Sequence, residues 1–157
     1  MKNVITGIAM IPLFLLVACN GKTENNKNNN LNQIKNQKIM ATNQEQKDAV
    51  LRAINLYIEA GRKGDSKIAA QAFAPTATMS WSEKGELKSV PIQTLYDYID
   101  KTGPVEVKYE LTTLDVSEDA AIVRIESQFG ATKFADMFSL VKDGADWKII
   151  SKVYHVK

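Results

Sequence analysis

From residue 44 onward the apolar positions recur first with a helical period and then with a strand period. Val50, Ile54, Tyr57, Ile58 and Gly61 fall at i, i+4, i+7, i+8 and i+11, one face of a helix. Asn43 is placed to cap that helix, with Gln46 three residues on as its capping-box partner, and the helix stops in the Gly61–Gly64 region. Asp65 or Ser66 caps a second, short helix. Its inner face is Ile68, Ala69, Ala72 and Phe73, and Pro75 ends it. Residues 76–81 alternate as a strand, residues 83–86 turn, and residues 87–90 return. Pro91 opens a third helix, at a position where its missing N–H costs nothing. Ile92, Leu95, Tyr96 and Ile99 form the apolar face, and Gly103-Pro104 closes it.

Four strands complete the chain. In residues 105–113, Val105, Val107, Tyr109, Leu111 and Thr113 point one way and Glu106, Lys108, Glu110 and Thr112 the other, so one face is wet. After a turn at 115–119, residues 120–129 place Ala121, Val123, Ile125 and Phe129 inward. Residues 133–141 and 147–156 carry bulk on both faces: Phe134, Phe138 and Leu140 against Met137 and Val141, then Trp147, Ile149 and Val153 against Ile150 and Tyr154. A strand apolar on both faces is covered on both. The helices make one cover, and a second subunit or a long loop is expected to make the other. Short turns imply antiparallel meandering pairs. Helices first and strands last give an α+β class: a cone-shaped α+β roll whose curved antiparallel sheet wraps the helices and encloses a cavity.

The first 43 residues follow another pattern. Lys2 precedes an apolar run from Val4 to Val17 of about 14 residues, short of the roughly 20 that span a bilayer. Its length suits a signal-peptide core. The run ends in Leu16-Val17-Ala18-Cys19, which resembles the lipobox of bacterial lipoproteins. That resemblance implies cleavage of residues 1–18, a thioether-linked lipid on Cys19 and acylation, of the palmitate type, at the new amino terminus. Two or more chains anchor a protein stably where one does not. The expected location is the cell envelope, lipid-anchored to a membrane. Asn20 rather than aspartate follows the cysteine, which points to the outer membrane, facing the periplasm, if the cell has one. Residues 19–43 hold nine asparagines, four lysines and few apolar residues (Leu31, Ile34, Ile39, Met40). Such a composition cannot bury enough surface to offset ordering entropy, so a disordered tether is expected there, with residues 44–157 as the folded domain.

Charge and cysteine usage narrow the chemistry. The 157-residue chain has a net charge of +2, but the excess lies near the start: residues 45–157 carry 15 Lys/Arg and 17 Asp/Glu. A mildly acidic domain lacks the clustered basic face that nucleic acid requires, so no nucleic-acid partner is expected. Cys19 is the sole cysteine and His155 the sole histidine. No disulfide and no zinc site of the usual ligand types is expected, and no cofactor motif is present.

Tyr57-x-x-Ala60-x-x-x-Gly64-Asp65 followed by Ala72-Phe73-Ala74-Pro75-Thr76-Ala77 resembles the opening of the nuclear transport factor 2-like superfamily, the cystatin-like roll. Phe134-x-Asp136-x-Phe138-Ser139-Leu140 and Trp147-Lys148-Ile149-Ile150-x-Lys152-Val153-Tyr154-His155 resemble its putative lumazine-binding branch. Aromatic side chains line most pockets, and for the cavity of the roll Trp81, Tyr98, Phe134, Asp136, Phe138, Tyr154 and His155 are the candidates. Asp136 is the sharpest of them, because a carboxylate in an apolar stripe must be paired, hydrogen-bonded or functional. If Val141 and Trp147 close the last hairpin, Asp136 lies opposite Lys152 and an ion pair accounts for it. Otherwise it is a polar anchor or a general base, as an aspartate is in ketosteroid isomerases of the same roll. His155 is either a partner in proton transfer or a rim residue at a fraying strand end. Asp97 and Asp100 share a solvated helix face, and Ser80 and Ser82 lack a His/Asp motif. Three functions follow as expectations: a lipid-anchored homodimer binding a small apolar or aromatic ligand, without catalysis; a polyketide-cyclase or isomerase-like enzyme using Asp136; or an envelope module that binds another protein.

Overall fold

The computed structural model describes residues 21–157. The expected signal and Cys19 lie outside the described residues. The chain divides into two compact units at Lys38/Ile39. Within the first, the described stretch from residue 21 is helical, and residues 29–38 are exposed. It belongs to α1 (Gly21–Lys63), so the stretch expected to be a disordered tether is helical from Gly21, and Asn43 lies inside the helix instead of capping it. Asparagine is a poor helix former, but nucleation is the costly step and extension of an existing helix is cheap. No proline or glycine interrupts residues 22–60. Among the described residues, no helix is long and apolar enough to cross a membrane.

The second unit holds the core. α1 buries Val50, Ala53, Ile54, Tyr57, Ile58 and Ala60, the stripe its periodicity predicts. α2 (Ser66–Ala72) is capped by Asp65, whose carboxylate accepts from the Lys67 N–H at 2.9 Å. It is held from outside by Asp100, which accepts from the Ser66 N–H at 2.9 Å and the Ser66 hydroxyl at 2.8 Å. β1 (Phe73–Glu83) and β2 (Glu86–Pro91) form a hairpin. α3 (Gln93–Thr102) follows. Pro91 ends β2 and does not open the helix; the buried Ile92 takes the cap position. β3 (Val107–Ser117), β4 (Ala120–Phe129), β5 (Thr132–Asp143) and β6 (Asp146–Val156) make the closing meander.

The six strands form one curved sheet in the order β2-β1-β6-β5-β4-β3, with the helices against it. Its sequential pairs are antiparallel, but β1 lies parallel to β6, so the sheet is mixed and not wholly antiparallel as expected. Within the closing meander two bulges set which side chains face the core. In β3 the extra residue is Thr112, after which Leu114 and Val116 take over the inward phase from Val107 and Tyr109. In β6 the extra residue is Ile150: Leu140 pairs with Ile149 but Ser139 pairs with Ser151. An extra residue inverts the alternation beyond it. Trp147 and Ile149 therefore face the core, and beyond the bulge so do Lys152 and Tyr154, while Val153 turns outward. The sequence pattern alone placed Val153 with Trp147 and Ile149. The outer face left behind carries exposed Ile122, Met137, Ile150 and Val153.

Gly61 and Gly64 let the end of α1 pack closely. A Cβ on Gly61 would stand 2.4 Å from Cε1 of Phe129, so the bare backbone makes room for that ring. Gly64 has φ +61°, and a Cβ there would meet the Gly103 carbonyl carbon at 2.3 Å.

Candidate functional site

Five aromatic rings converge where the end of α1 meets the open end of the sheet. Tyr57 comes from α1, Trp81 from β1, Phe129 from the end of β4, Phe134 from β5 and Tyr154 from β6. Trp81 stacks on Tyr154 with centroids 5.5 Å apart, Phe134 meets Tyr154 edge-on at 5.9 Å, and Tyr57 tilts against Phe129 at 5.3 Å. Such pairs are rigid and add to the burial energy of each ring. Together with Met79 and with Leu95 and Ile99 of α3 they line a cavity of about 440 Å³, within the range of small-molecule sites. The exposed residues Tyr98, Thr132 and Val156 stand at its rim.

Among the described residues, one charged side chain lines this cavity, Lys152. Its side chain is 4% exposed, and its ammonium donates to Asp136 Oδ1 at 2.5 Å. Asp136 is fully buried, and its other oxygen accepts from the Ser127 hydroxyl at 2.5 Å. The register differs from the sequence expectation: Asp136 faces Tyr154 across the strands and Lys152 faces Phe138, so the ion pair runs diagonally. Lys152 Nζ lies 4.3 Å from the Tyr154 ring centroid and 5.6, 5.9 and 6.0 Å from those of Tyr57, Phe134 and Phe138. Ring faces at these distances favour a cation.

Burial dominates the ionisation of Lys152, Tyr57 and Tyr154. It pushes the Lys152 pKa below the ordinary lysine value, with the Asp136 charge and hydrogen bond opposing. Burial also raises Tyr57 well above the usual tyrosine value, and the nearby Asp136 and Tyr154 add to this. Tyr154 rises for the same first reason, with smaller contributions from Asp136 and Glu83. Both phenols therefore stay protonated at neutral pH.

Of the residues singled out in the sequence, Trp81, Tyr98, Phe134 and Tyr154 line the cavity. Asp136 and Phe138 sit behind Lys152 and not in the wall. His155 is exposed, on the strand face opposite Lys152 and Tyr154, and its backbone partner is Ala135. It does not join the site, so proton transfer between Asp136 and His155 has no geometric basis. Lys152 as a wall residue, Tyr57 and Gly61 were not foreseen as site residues. The signal for Lys152 was the bulge at Ile150, which leaves no mark in the alternation of β6. Among the described residues, no three His, Cys, Asp or Glu side chains gather to hold a metal ion.

Comparison with known proteins places this geometry among relatives. Residues 45–155 match the family model described as "Putative lumazine-binding". Aldolase FrzH from Cladobotryum sp is 32% identical over 111 residues, which cover 69% of this chain and 89% of that protein. A nuclear transport factor 2-like protein of unknown function from Shewanella baltica superposes with a TM-score of 0.68 at 32% identity, covering 72% of this chain and 94% of the other. One from Methylobacillus flagellatus gives 0.66 at 29% identity, covering 72% and 93%. A ketosteroid isomerase-like protein from Erwinia carotovora, at 13% identity and a TM-score of 0.57, shares the fold.

Proposed function

The chain belongs to the putative lumazine-binding family, and on that footing we propose that it binds a small, largely apolar or aromatic molecule in the cavity above Lys152. The observation that carries this reading is the contrast within one wall: mostly aromatic and aliphatic surface, with threonine and tyrosine hydroxyls, and a single charged side chain, the buried Lys152. The rings supply contact area, and the ammonium orients one polar atom of the ligand, an oxygen that accepts a hydrogen bond. Titration with 1-naphthalenemethanol tests it, read from Trp81 fluorescence in a Trp147→Phe background. Saturable quenching supports the proposal; no quenching up to the solubility limit removes it.

A second reading is an enzyme acting on a carbonyl compound. It is favoured by Lys152 in the cavity wall, paired with the buried Asp136 behind it, and by the relative that is called an aldolase. Discovery of turnover that disappears in Lys152→Met and survives in His155→Ala supports it. Two further proposals concern the setting. Lipidation of Cys19 anchors the protein to an envelope membrane, which radiolabelled palmitate and a Cys19→Ser variant test. A homodimer forms through the outer sheet face, for which exposed Ile122, Met137, Ile150 and Val153 speak. Equilibrium sedimentation of Met137→Lys against the wild type tests that.

A further inference from the structure

We propose that Lys152 captures aldehydes and unhindered ketones covalently, as an imine formed at the floor of the cavity. This deepens the binding reading and rests on it, since the carbonyl compound must first occupy the same pocket.

Three observations lead there. First, Lys152 lines the cavity, whereas Asp136, which pairs with it, is fully buried and does not. A ligand therefore meets the amine and not the acid. Second, the surroundings of Nζ are almost wholly aromatic, and its one hydrogen-bond acceptor is Asp136. A proton moved from Nζ to Oδ1 across 2.5 Å removes two charges from a buried pair and leaves a nucleophilic amine. Burial already lowers the lysine pKa in that direction. Third, Ser127 holds the second carboxylate oxygen at 2.5 Å, which fixes the acid in place while its other oxygen exchanges a proton. A lysine whose task is only to neutralise Asp136 needs no access to the cavity.

The step balances within the groups present. The free amine of Lys152 attacks the carbonyl carbon, forming a C–N bond while the carbonyl π electrons move to oxygen. That oxygen takes a proton from the newly bonded nitrogen and becomes the hydroxyl of a carbinolamine, while the proton held by Asp136 passes back to the nitrogen. The hydroxyl leaves as water after taking one of the two protons then on the nitrogen, and a C=N bond forms. Starting from the ammonium–carboxylate pair, one carbonyl compound is consumed, one water is released, and a protonated imine faces the Asp136 carboxylate. The rings around Nζ suit that cation as they suit the ammonium. A protonated imine draws electrons from the neighbouring carbon, so the carbon beside it becomes a site for proton loss and for carbon–carbon bond making or breaking. The substrate class is thus an aldehyde or ketone carried on an aromatic or apolar body.

The test uses 1-naphthaldehyde with cyanoborohydride, which reduces an imine to a stable secondary amine, followed by peptide mapping of the wild-type protein. The matched alcohol, 1-naphthalenemethanol, reports binding without chemistry. The expected result is a single naphthylmethyl adduct on Lys152, its suppression by excess alcohol, and its loss in the Ser127→Ala, Asp136→Val, Lys152→Met triple variant. If the alcohol binds but the label is spread over exposed lysines such as Lys101 and Lys133, covalent capture is overturned and the pocket stands. If the alcohol does not bind and Lys152 carries no label, both readings fall. Mapping on the wild type decides the matter even if the triple variant does not fold.

Discussion

Replacing Lys152 with methionine separates what the buried pair does for stability from what it does for the site. Met fills a similar length without charge, so packing against Tyr57 and Tyr154 is largely kept. The loss falls on Asp136, which is fully buried and retains only the Ser127 hydroxyl. Removing one partner of a buried pair costs about 3–5 kcal/mol, because the remaining charge has neither water nor counter-charge. For a domain of this size about 4 °C of melting temperature goes with each kcal/mol, so the drop is about 12–20 °C. The triple change Ser127→Ala, Asp136→Val, Lys152→Met removes every polar group of the cluster. Well-packed apolar replacements of buried ion pairs are neutral or stabilising by about 1–4 kcal/mol. The triple variant is therefore expected to melt at or above the wild type. Urea unfolding at neutral pH gives the three free energies on one scale. A Lys152→Met variant within about 1 kcal/mol of wild type would refute the desolvation argument, since exposed pairs lose no more than that. A triple variant as unstable as the single one would show that the cluster is retained for stability and not for the cavity.

Other perturbations follow from the same geometry. In Asp136→Asn the pull that opposes the lowered Lys152 pKa is gone. The unfolded chain keeps the lysine proton to higher pH than the folded one, so stability rises as pH climbs from the folded pKa toward the ordinary lysine value. The variant should gain more over that window than wild type, measured below the range where tyrosines ionise, because the raised Tyr57 pKa acts with the opposite sign; equal slopes would contradict it. Gly61→Ala gains about 1 kcal/mol of helix propensity but drives a Cβ to 2.4 Å from Phe129, and overpacking costs about 1–3 kcal/mol. Net destabilisation with weaker naphthalenemethanol binding is expected, and a stabilised variant with unchanged binding would count against the close approach. His155→Ala should change stability by less than about 0.5 kcal/mol and leave binding intact, as befits an exposed side chain outside the cavity. Trp81→Ala, which removes the ring stacked on Tyr154, should weaken binding; titration calorimetry distinguishes the two.

Much of the fold can be read from periodicity, because the helices and most strands obey it locally. The stripe Val50, Ile54, Tyr57 and Ile58 is buried as its spacing requires. The Gly64-Asp65 break is visible because only glycine fits φ +61° beside the Gly103 backbone. The site is less legible, for a specific reason. Two strands change phase at Thr112 and Ile150, and a bulge depends on how neighbouring strands pair rather than on the residue that bulges. Without the second bulge Lys152 and Tyr154 would stand on the face opposite Trp147 and Ile149. The sequence pairs Asp136 with Lys152 directly across the hairpin, and the structure pairs them diagonally in another register. A buried aspartate needs a partner of this kind. The parallel β1–β6 pairing joins strands more than seventy residues apart and has no local signature. The helical stretch from Gly21 also has none: its composition argues against a core, and its exposed residues 29–38 agree that it buries nothing there.

Whether the cavity is a ligand site with a reactive amine at Lys152 is decided by peptide mapping after cyanoborohydride treatment with 1-naphthaldehyde. One adduct is expected, on Lys152, displaced by 1-naphthalenemethanol. Label confined to exposed lysines, with Lys152 unmodified in the folded protein, would contradict it.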